Sequence, residues 1–211
     1  GALSGGGMHY EVIPVGAYEA NCSILWEDPA LAWVVDPGAE GAVILERMEK
    51  MGLKAGVVVL THAHCDHVSA VNEILAKYPV PVYLDAGDAD FAFSPLNALP
   101  PYRSTRRPAM LVTDKKDGDT IACGGLSARL FHTPGHTPGG WCLYFEKDRL
   151  LVSGDTLFAG SVGRTDFPGG SWEELEKSLL KLKELPDDTR VICGHGPVTT
   201  IGAEKRNNPY L

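Results

Sequence analysis

Apolar residues in this chain fall into short runs broken by glycine, proline and acidic residues, the pattern of strands and helices in alternation. Tyr10–Val15, Cys22–Trp26 and Leu31–Val35 predict three strands, joined by turns around Gly16 and Asp28–Pro29. Asp36-Pro37-Gly38 closes the third as a turn. Ala42–Met51 has helical periodicity and stops at Gly52. The β-branched run Gly56–Val59, continued by Leu60, predicts a buried strand, and Val68–Leu75 repeats apolar residues at helical spacing. Further strands are expected at Val80–Leu84, Ala128–Phe131, Trp141–Phe145, Leu150–Val152 and Arg190–Cys193. Asp85–Phe93 reads as a helix capped by Asp85. Ser171–Leu185 is the clearest helix: Ser171 and Glu174 make a capping box, and Leu175, Leu179, Leu182 and Leu185 form one apolar face. Ser94–Pro108, with four prolines, three arginines and no periodicity, is expected to be a long loop.

Two strand-rich halves with helices and no break in composition fit a single α/β domain from Met8 to Leu211; Gly1–Gly7 reads as a cloning remnant. A chain of 211 residues with 44% apolar and 22% charged residues can bury a sizeable core. The net charge of −8 argues against nucleic acid as a partner but leaves room for a local basic pocket and a small anionic substrate. No apolar run approaches the ~20 residues of a membrane span. The five cysteines are odd in number and form no CxxC pair, which points to a reducing compartment. With no signal-like segment at the start, the expected location is the cytoplasm. No pattern encodes an oligomeric state.

One stretch does not belong to any core. Thr61–His67 reads THAHCDH, and burying several unpaired imidazoles and a carboxylate would cost about several kcal/mol apiece. His62, His64 and Asp66 alternate, so an extended stretch would turn all three to one side, with His67 swung toward them at the helix start. The stretch lies where a buried strand ends and a helix begins, a usual place for a site. Three other strand ends carry similar chemistry: HTPGHTPG at 132–139 with His136, SGDTL at 153–157 with Asp155, and GHG at 194–196 with His195. An isolated His or Asp after a strand is more often a hydrogen-bonded turn residue. Together, His62, His64, Asp66, His67, His136, Asp155 and His195 exceed one tetrahedral site and suit two adjacent metal ions sharing a carboxylate.

THAHCDH, HTPGHTPG, SGDTLF, GRTDFPGG at 163–170 and GHGPVTTIGAEKRNNPYL at 194–211 resemble the metallo-β-lactamase superfamily. Within it, they resemble the short hydroxyacylglutathione hydrolases, or glyoxalase II. The resemblance implies a four-layer αβ/βα sandwich of two mixed sheets with outer helices. It also implies a first ion on His62, His64 and His136, a second on Asp66, His67 and His195, and Asp155 bridging them. Zinc is the first choice, with iron or manganese compatible with the same donors. His132 matches no ligand position. Cys65 fills a variable position and, by strand alternation, is expected to point away from the metals.

The activity so implied is hydrolysis of a thioester such as S-lactoylglutathione by a metal-bridging hydroxide, with Asp66 orienting it and secondarily shuttling a proton. Longer glyoxalase II proteins carry a C-terminal helical segment that contacts glutathione, whereas sixteen residues follow His195 here. Substitutes for those contacts are Arg164 and the loop arginines Arg103, Arg106 and Arg107, each able to grip a carboxylate, although the loop arginines also read as solvated surface charge. The rival is a mononuclear-iron persulfide dioxygenase of the same superfamily on His62, His136 and Asp155; the full second donor set and the GHGPVTTIG stretch favour the hydrolase. A lactone hydrolase would keep the same donors. The lack of an export signal weighs against a β-lactamase.

Overall fold

Strands that are apolar on both faces must be covered twice, and this requirement sets the architecture. The computed structural model describes residues 7–211; apart from Gly7, the segment read as a cloning remnant lies outside the described residues. The first sheet runs β1 (His9–Val15), β2 (Ala20–Trp26), β3 (Ala32–Val35), β4 (Ala55–Val59), β5 (Val82–Tyr83) and β6 (Leu111–Val112) in that order. Its first two pairings are antiparallel and the remaining three parallel. The crossovers between parallel strands are α1 (Gly41–Lys50), then α2 (Cys65–Val68) with α3 (Val71–Lys77), then α4 (Ala86–Ala92) with the long loop. The second sheet contains β7 (Thr120–Cys123), β8 (Leu126–His132), β9 (Trp141–Phe145) and β10 (Leu150–Gly154). A ribbon of β11 (Leu157–Phe158) and β12 (Ser161–Val162) and helix α5 (Trp172–Lys183) then lead to β13 (Arg190–Cys193), β14 (Thr199–Thr200) and α6 (Ile201–Asn207). The order is β14-β13-β10-β9-β8-β7, with β10 and β13 the parallel pair.

Alternation along single strands divides the core into three layers. Val57 and Val59 of β4 face Trp141, Leu143 and Phe145 of β9 between the sheets, while Val58 faces the helices that carry Ile44, Met48, Val71 and Ile74. Cys142 and Tyr144 turn the other way, onto Leu175, Leu179 and Leu182 of α5. The product is the αβ/βα sandwich of two mixed sheets expected from the motifs. No helix among the described residues is long and apolar enough to cross a membrane.

The predicted strands and helices recur within a few residues of their expected bounds, with one exception that matters for the site. Val68–Leu75 is not one helix: the chain enters α2 at Cys65, breaks at Ser69–Ala70 and restarts as α3. The Ala70 N–H donates to Pro37 O at 2.9 Å, which docks the break against the Asp36-Pro37-Gly38 turn. Ser171 caps α5 by accepting from the Glu174 N–H at 3.2 Å, but its own N–H donates to Gly135 O, so half of the capping box forms. Strands β6, β11, β12 and β14 span two residues each, too short to leave a periodic signal. Helix α6 has few apolar residues and is held instead by its cap, the Thr200 hydroxyl accepting from Ala203 N–H.

Candidate metal centre

The carboxyl ends of β3, β4, β10 and β13, together with the β8–β9 loop, meet at one edge of the sandwich, where open sheets place their sites. Backbone bonds tie the two sheets there: Trp141 N–H to Thr61 O at 3.0 Å and Asn21 N–H to Gly194 O at 2.7 Å. The Asn21 amide also donates to Cys193 O and Gly196 O, both at 2.9 Å. The loops that carry His62, Asp155 and His195 are therefore fixed to the sheets, not hung from them.

All seven residues singled out along the chain converge here. His62, His64 and His136 bring one ligand atom each within 4.8 Å of one another, and Asp66, His67 and His195 do the same. Asp155 stands between the two groups. Its Oδ2 lies 3.5 Å from His62 Nε2, 3.3 Å from His136 Nε2 and 3.5 Å from His195 Nε2, and its Oδ1 lies 3.3 Å from His67 Nε2. Asp66 Oδ2 is 3.2 Å from His195 Nε2 and 3.5 Å from His67 Nε2. The expected alternation of His62, His64 and Asp66 does not extend to the third residue, because the backbone turns helical at Cys65; Asp66 reaches the cluster from the first turn of α2. Cys65, in the same turn, lines the cavity and belongs to none of the donor groups. His132 stays outside the cluster, its Nε2 beside Pro138 O at 3.1 Å.

The outer nitrogens show what the inner ones are for. His136 Nδ1 pairs with Arg164 O at 2.7 Å and His195 Nδ1 with Tyr18 O at 3.0 Å; a carbonyl can only accept, so each Nδ1 carries a proton and each Nε2 is turned inward to the cluster. His67 Nδ1 is anchored by the Asp36 carboxylate at 3.0 Å. Within the cluster, His62 Nε2 and Asp155 Oδ1 are buried without a hydrogen-bond partner. Buried polar atoms in that state call for a ligand, and convergent N and O donors fit a divalent cation. The His/Asp cluster thus supports the use of divalent metal.

Asp36 is the residue that sequence reasoning missed. It was legible only as a turn residue, yet it is 2% exposed and accepts from Thr61 N–H at 2.8 Å and from Thr61 Oγ1–H at 2.6 Å as well as facing His67. The one signal in the sequence was an Asp-Pro-Gly turn at a strand end, where the structure gives Asp36 a positive φ of 55°. Asp88 plays a similar part at the rim, bonding Ala63 N–H and Gly139 N–H and joining α4 to both histidine-bearing loops. Of the four arginines, Arg164 lines the cavity, whereas exposed Arg103, Arg106 and Arg107 are not among its lining residues.

Charge within the cluster is strongly coupled. Burial would raise the Asp155 carboxyl, but His67 and His62 hold it well below the usual range. Burial would lower His67, but Asp155 and Asp66 raise it well above its ordinary value. Burial likewise opposes protonation of His195, and hydrogen bonds to Asp155 and Asp66 raise it to about 9. His64, buried among His62 and His136, is lowered to about 2. In the metal-free protein His67 and His195 therefore carry protons at neutral pH, whereas ligation needs neutral imidazole. Metal uptake is expected to release protons and to tighten as pH rises from about 6 toward about 9. Calorimetry in buffers of different ionisation heat measures this, and uptake with no proton release would contradict it.

Close approach is enforced by glycine. A Cβ on Gly194 would overlap the Asp155 carboxylate, and one on Gly38 would overlap the carbonyl of Asp66. Gly194→Ala is expected to displace Asp155 and lower metal content on purification while leaving the fold intact by circular dichroism. Full metal retention would show that the loop can yield.

Residues 15–195 match the family model described as the metallo-beta-lactamase superfamily, and the chain belongs to that superfamily. It is 42% identical over 214 residues to an uncharacterized protein of Aquifex aeolicus, covering 96% of this chain and 97% of that one. It is 36% identical over 208 residues to hydroxyacylglutathione hydrolase GloC of Haemophilus influenzae, covering 97% and 98%. Among solved structures it is similar to the BLEG-1 B3 metallo-beta-lactamase, with a TM-score of 0.89 at 35% identity over 96% of this chain and 99% of the other. TTHA1623 in a di-iron-bound form gives 0.84 at 35% identity, covering 95% and 100%. ETHE1 from Myxococcus xanthus gives 0.76 at 26% identity, covering 95% and 83%. The glyoxalase II-like resemblance of the motifs is consistent with GloC among these relatives.

Proposed function

We propose that this protein is a metal-dependent hydrolase of the glyoxalase II-like type acting on acyl thioesters, with S-lactoylglutathione among those to be assayed. In this reading His62, His64 and His136 hold one divalent ion, Asp66, His67 and His195 hold a second, and Asp155 serves both. Zinc is the first choice; iron and manganese accept the same donors. Ions so held supply a Lewis acid for the substrate carbonyl and a water of lowered pKa. The observation that carries the reading is the position of Asp155, whose carboxylate lies within 3.5 Å of His62 and His136 in one group and of His67 and His195 in the other.

The chain's own residues supply orientation. Carbonyl acceptors at Arg164 and Tyr18 fix the His136 and His195 rings, and Asp36 fixes His67. Asp66, which lines the cavity, would orient the attacking group and secondarily shuttle its proton. Asp88 is committed to backbone N–H groups and is not free for that role. A thiolate leaves with little protonation, so a thioester suits a site with no dedicated acid. Residues 8–211 act in this reading as a single domain. The five free cysteines support a cytoplasmic setting.

A mononuclear-iron persulfide dioxygenase would use His62, His136 and Asp155 and leave the convergence of Asp66, His67 and His195 without a purpose. Protein purified without chelator is expected to hold about two metals per chain and to release thiol from acyl thioesters. Parallel assays with a lactone, a β-lactam and a persulfide under oxygen complete the test. A single iron with persulfide-dependent oxygen uptake, or turnover confined to lactone or β-lactam, would overturn the proposal.

A further inference from the structure

The cavity in front of the donor cluster has a volume of about 770 Å³, within the ordinary range for a small-molecule site. Away from the histidines and carboxylates its walls carry a group of large apolar side chains. Phe91 comes from α4, Leu96 and Leu99 from the loop that follows, Phe158 and Val162 from the β11–β12 ribbon, and Phe167 from the segment between β12 and α5. Phe91, Leu96, Leu99 and Phe167 are 43%, 83%, 48% and 39% exposed. Large apolar side chains left in water around one cavity mark a surface that binds something apolar.

Charge points the same way. Among the described residues lining the cavity, Arg164 is the one arginine or lysine. Its guanidinium is already held by both oxygens of Asp166, at 2.6 and 2.7 Å, and lies over the Phe167 ring at 4.1 Å from the centroid. The pair engages Nε and Nη2 and offsets the charge of the arginine, leaving Nη1 as its unengaged end. The side chain thus presents a neutralised ion pair and, with Phe167, a flat wall. The remaining charged residues of the lining, apart from the histidines, are the carboxylates Asp66, Asp88 and Asp155.

We propose that this cavity receives an uncharged, apolar group of the substrate. The preferred substrates are thus neutral thioesters carrying a medium-length alkyl or aryl acyl chain, and conjugates of an anionic thiol such as glutathione are disfavoured. The chemistry rests on the hydrolase reading; the binding preference rests on the cavity alone, and the two are tested separately.

Binding is measured by calorimetry with uncleavable S-alkyl thioethers of N-acetylcysteamine, methyl to hexyl, and with S-hexylglutathione, on the metal-loaded protein. Affinity is expected to rise about threefold per methylene, and the neutral hexyl thioether to bind more tightly than S-hexylglutathione. Leu96→Asp combined with Leu99→Asp, both on an exposed loop, should lower hexyl affinity tenfold or more and flatten the series. Asp166→Asn frees Arg164 and should raise affinity for S-hexylglutathione severalfold. A flat chain-length series, or tighter binding of S-hexylglutathione to the unsubstituted protein, would overturn the proposal. No gain in Asp166→Asn would overturn the assignment of anion exclusion to the Arg164–Asp166 pair. Turnover of acetyl to octanoyl N-acetylcysteamine thioesters is followed in parallel. A rising binding series without turnover supports the cavity assignment and removes the hydrolase reading; turnover with a flat binding series does the reverse.

Discussion

Asp155→Ala is expected to lower thioester turnover by on the order of 10³-fold, the scale seen when one preorganised electrostatic group is removed from a site. Asp155 is 7% exposed and touches both donor groups, so its loss weakens both halves of the cluster at once. His64 belongs to one group only, so His64→Ala should spare the Asp66, His67 and His195 set. Two effects must be separated. Alanine removes a ligand and also removes the negative charge that faces the raised His67 and His195. Asp155→Asn keeps the shape and removes the charge alone. Metal analysis and turnover of both variants decide between them, and an Asp155→Ala protein with full metal content and unchanged kcat would sink the proposed arrangement.

The second large effect is expected at a residue that touches no metal in this reading. Asp36→Ala removes a buried carboxylate that holds the Thr61 N–H, the Thr61 hydroxyl and His67 Nδ1 together. Breaking a buried ionic and hydrogen-bonded set by deleting one partner costs about 3 to 5 kcal/mol. Loss of an outer partner of a ligating histidine lowers metal affinity about 10- to 100-fold. Asp36→Asn tolerates the positive φ and can still accept from Thr61 N–H, so it should recover much of the stability but not the anchoring of His67. Thermal unfolding of the metal-free variants reads the first effect, and competition with a chelating dye reads the second. Equal metal affinity in Asp36→Asn and the unsubstituted protein would show that His67 needs no anionic partner.

How much of this was legible beforehand depends on the kind of residue. Strands β4, β9, β10 and β13 were visible because strands buried on both faces are near-continuous apolar runs. Helix α5 was visible because one face of it is leucine and its ends carry a Ser cap and a proline. The donors were visible because histidines and aspartates at strand ends have no place in a core. Helix α6 was not, since it is anchored through polar contacts: Glu204 accepts from Gly160 N–H, and Asn208 donates to Phe158 O and Ser161 O. Those partners lie more than forty residues away, and no local pattern encodes them. The break between α2 and α3 was likewise hidden, because the acceptor that docks Ala70 is Pro37 of another turn.

The sequence by itself carried the alternation of strands and helices and the seven candidate residues of THAHCDH, HTPGHTPG, SGDTL and GHG, because hydrophobic period and chemically costly side chains are local properties, while the superfamily and its sandwich came from the resemblance of those motifs. Tertiary structure alone decided which oxygen of Asp155 faces which histidines, that Asp66 reaches the cluster from a helical turn, and that Cys65 lines the cavity. It also decided that Asp36 anchors His67, and that Arg164 is tied to Asp166 while the loop arginines lie elsewhere. These are distances between side chains from different strands and loops. They exist only once two sheets have packed face to face and brought their strand ends to one edge.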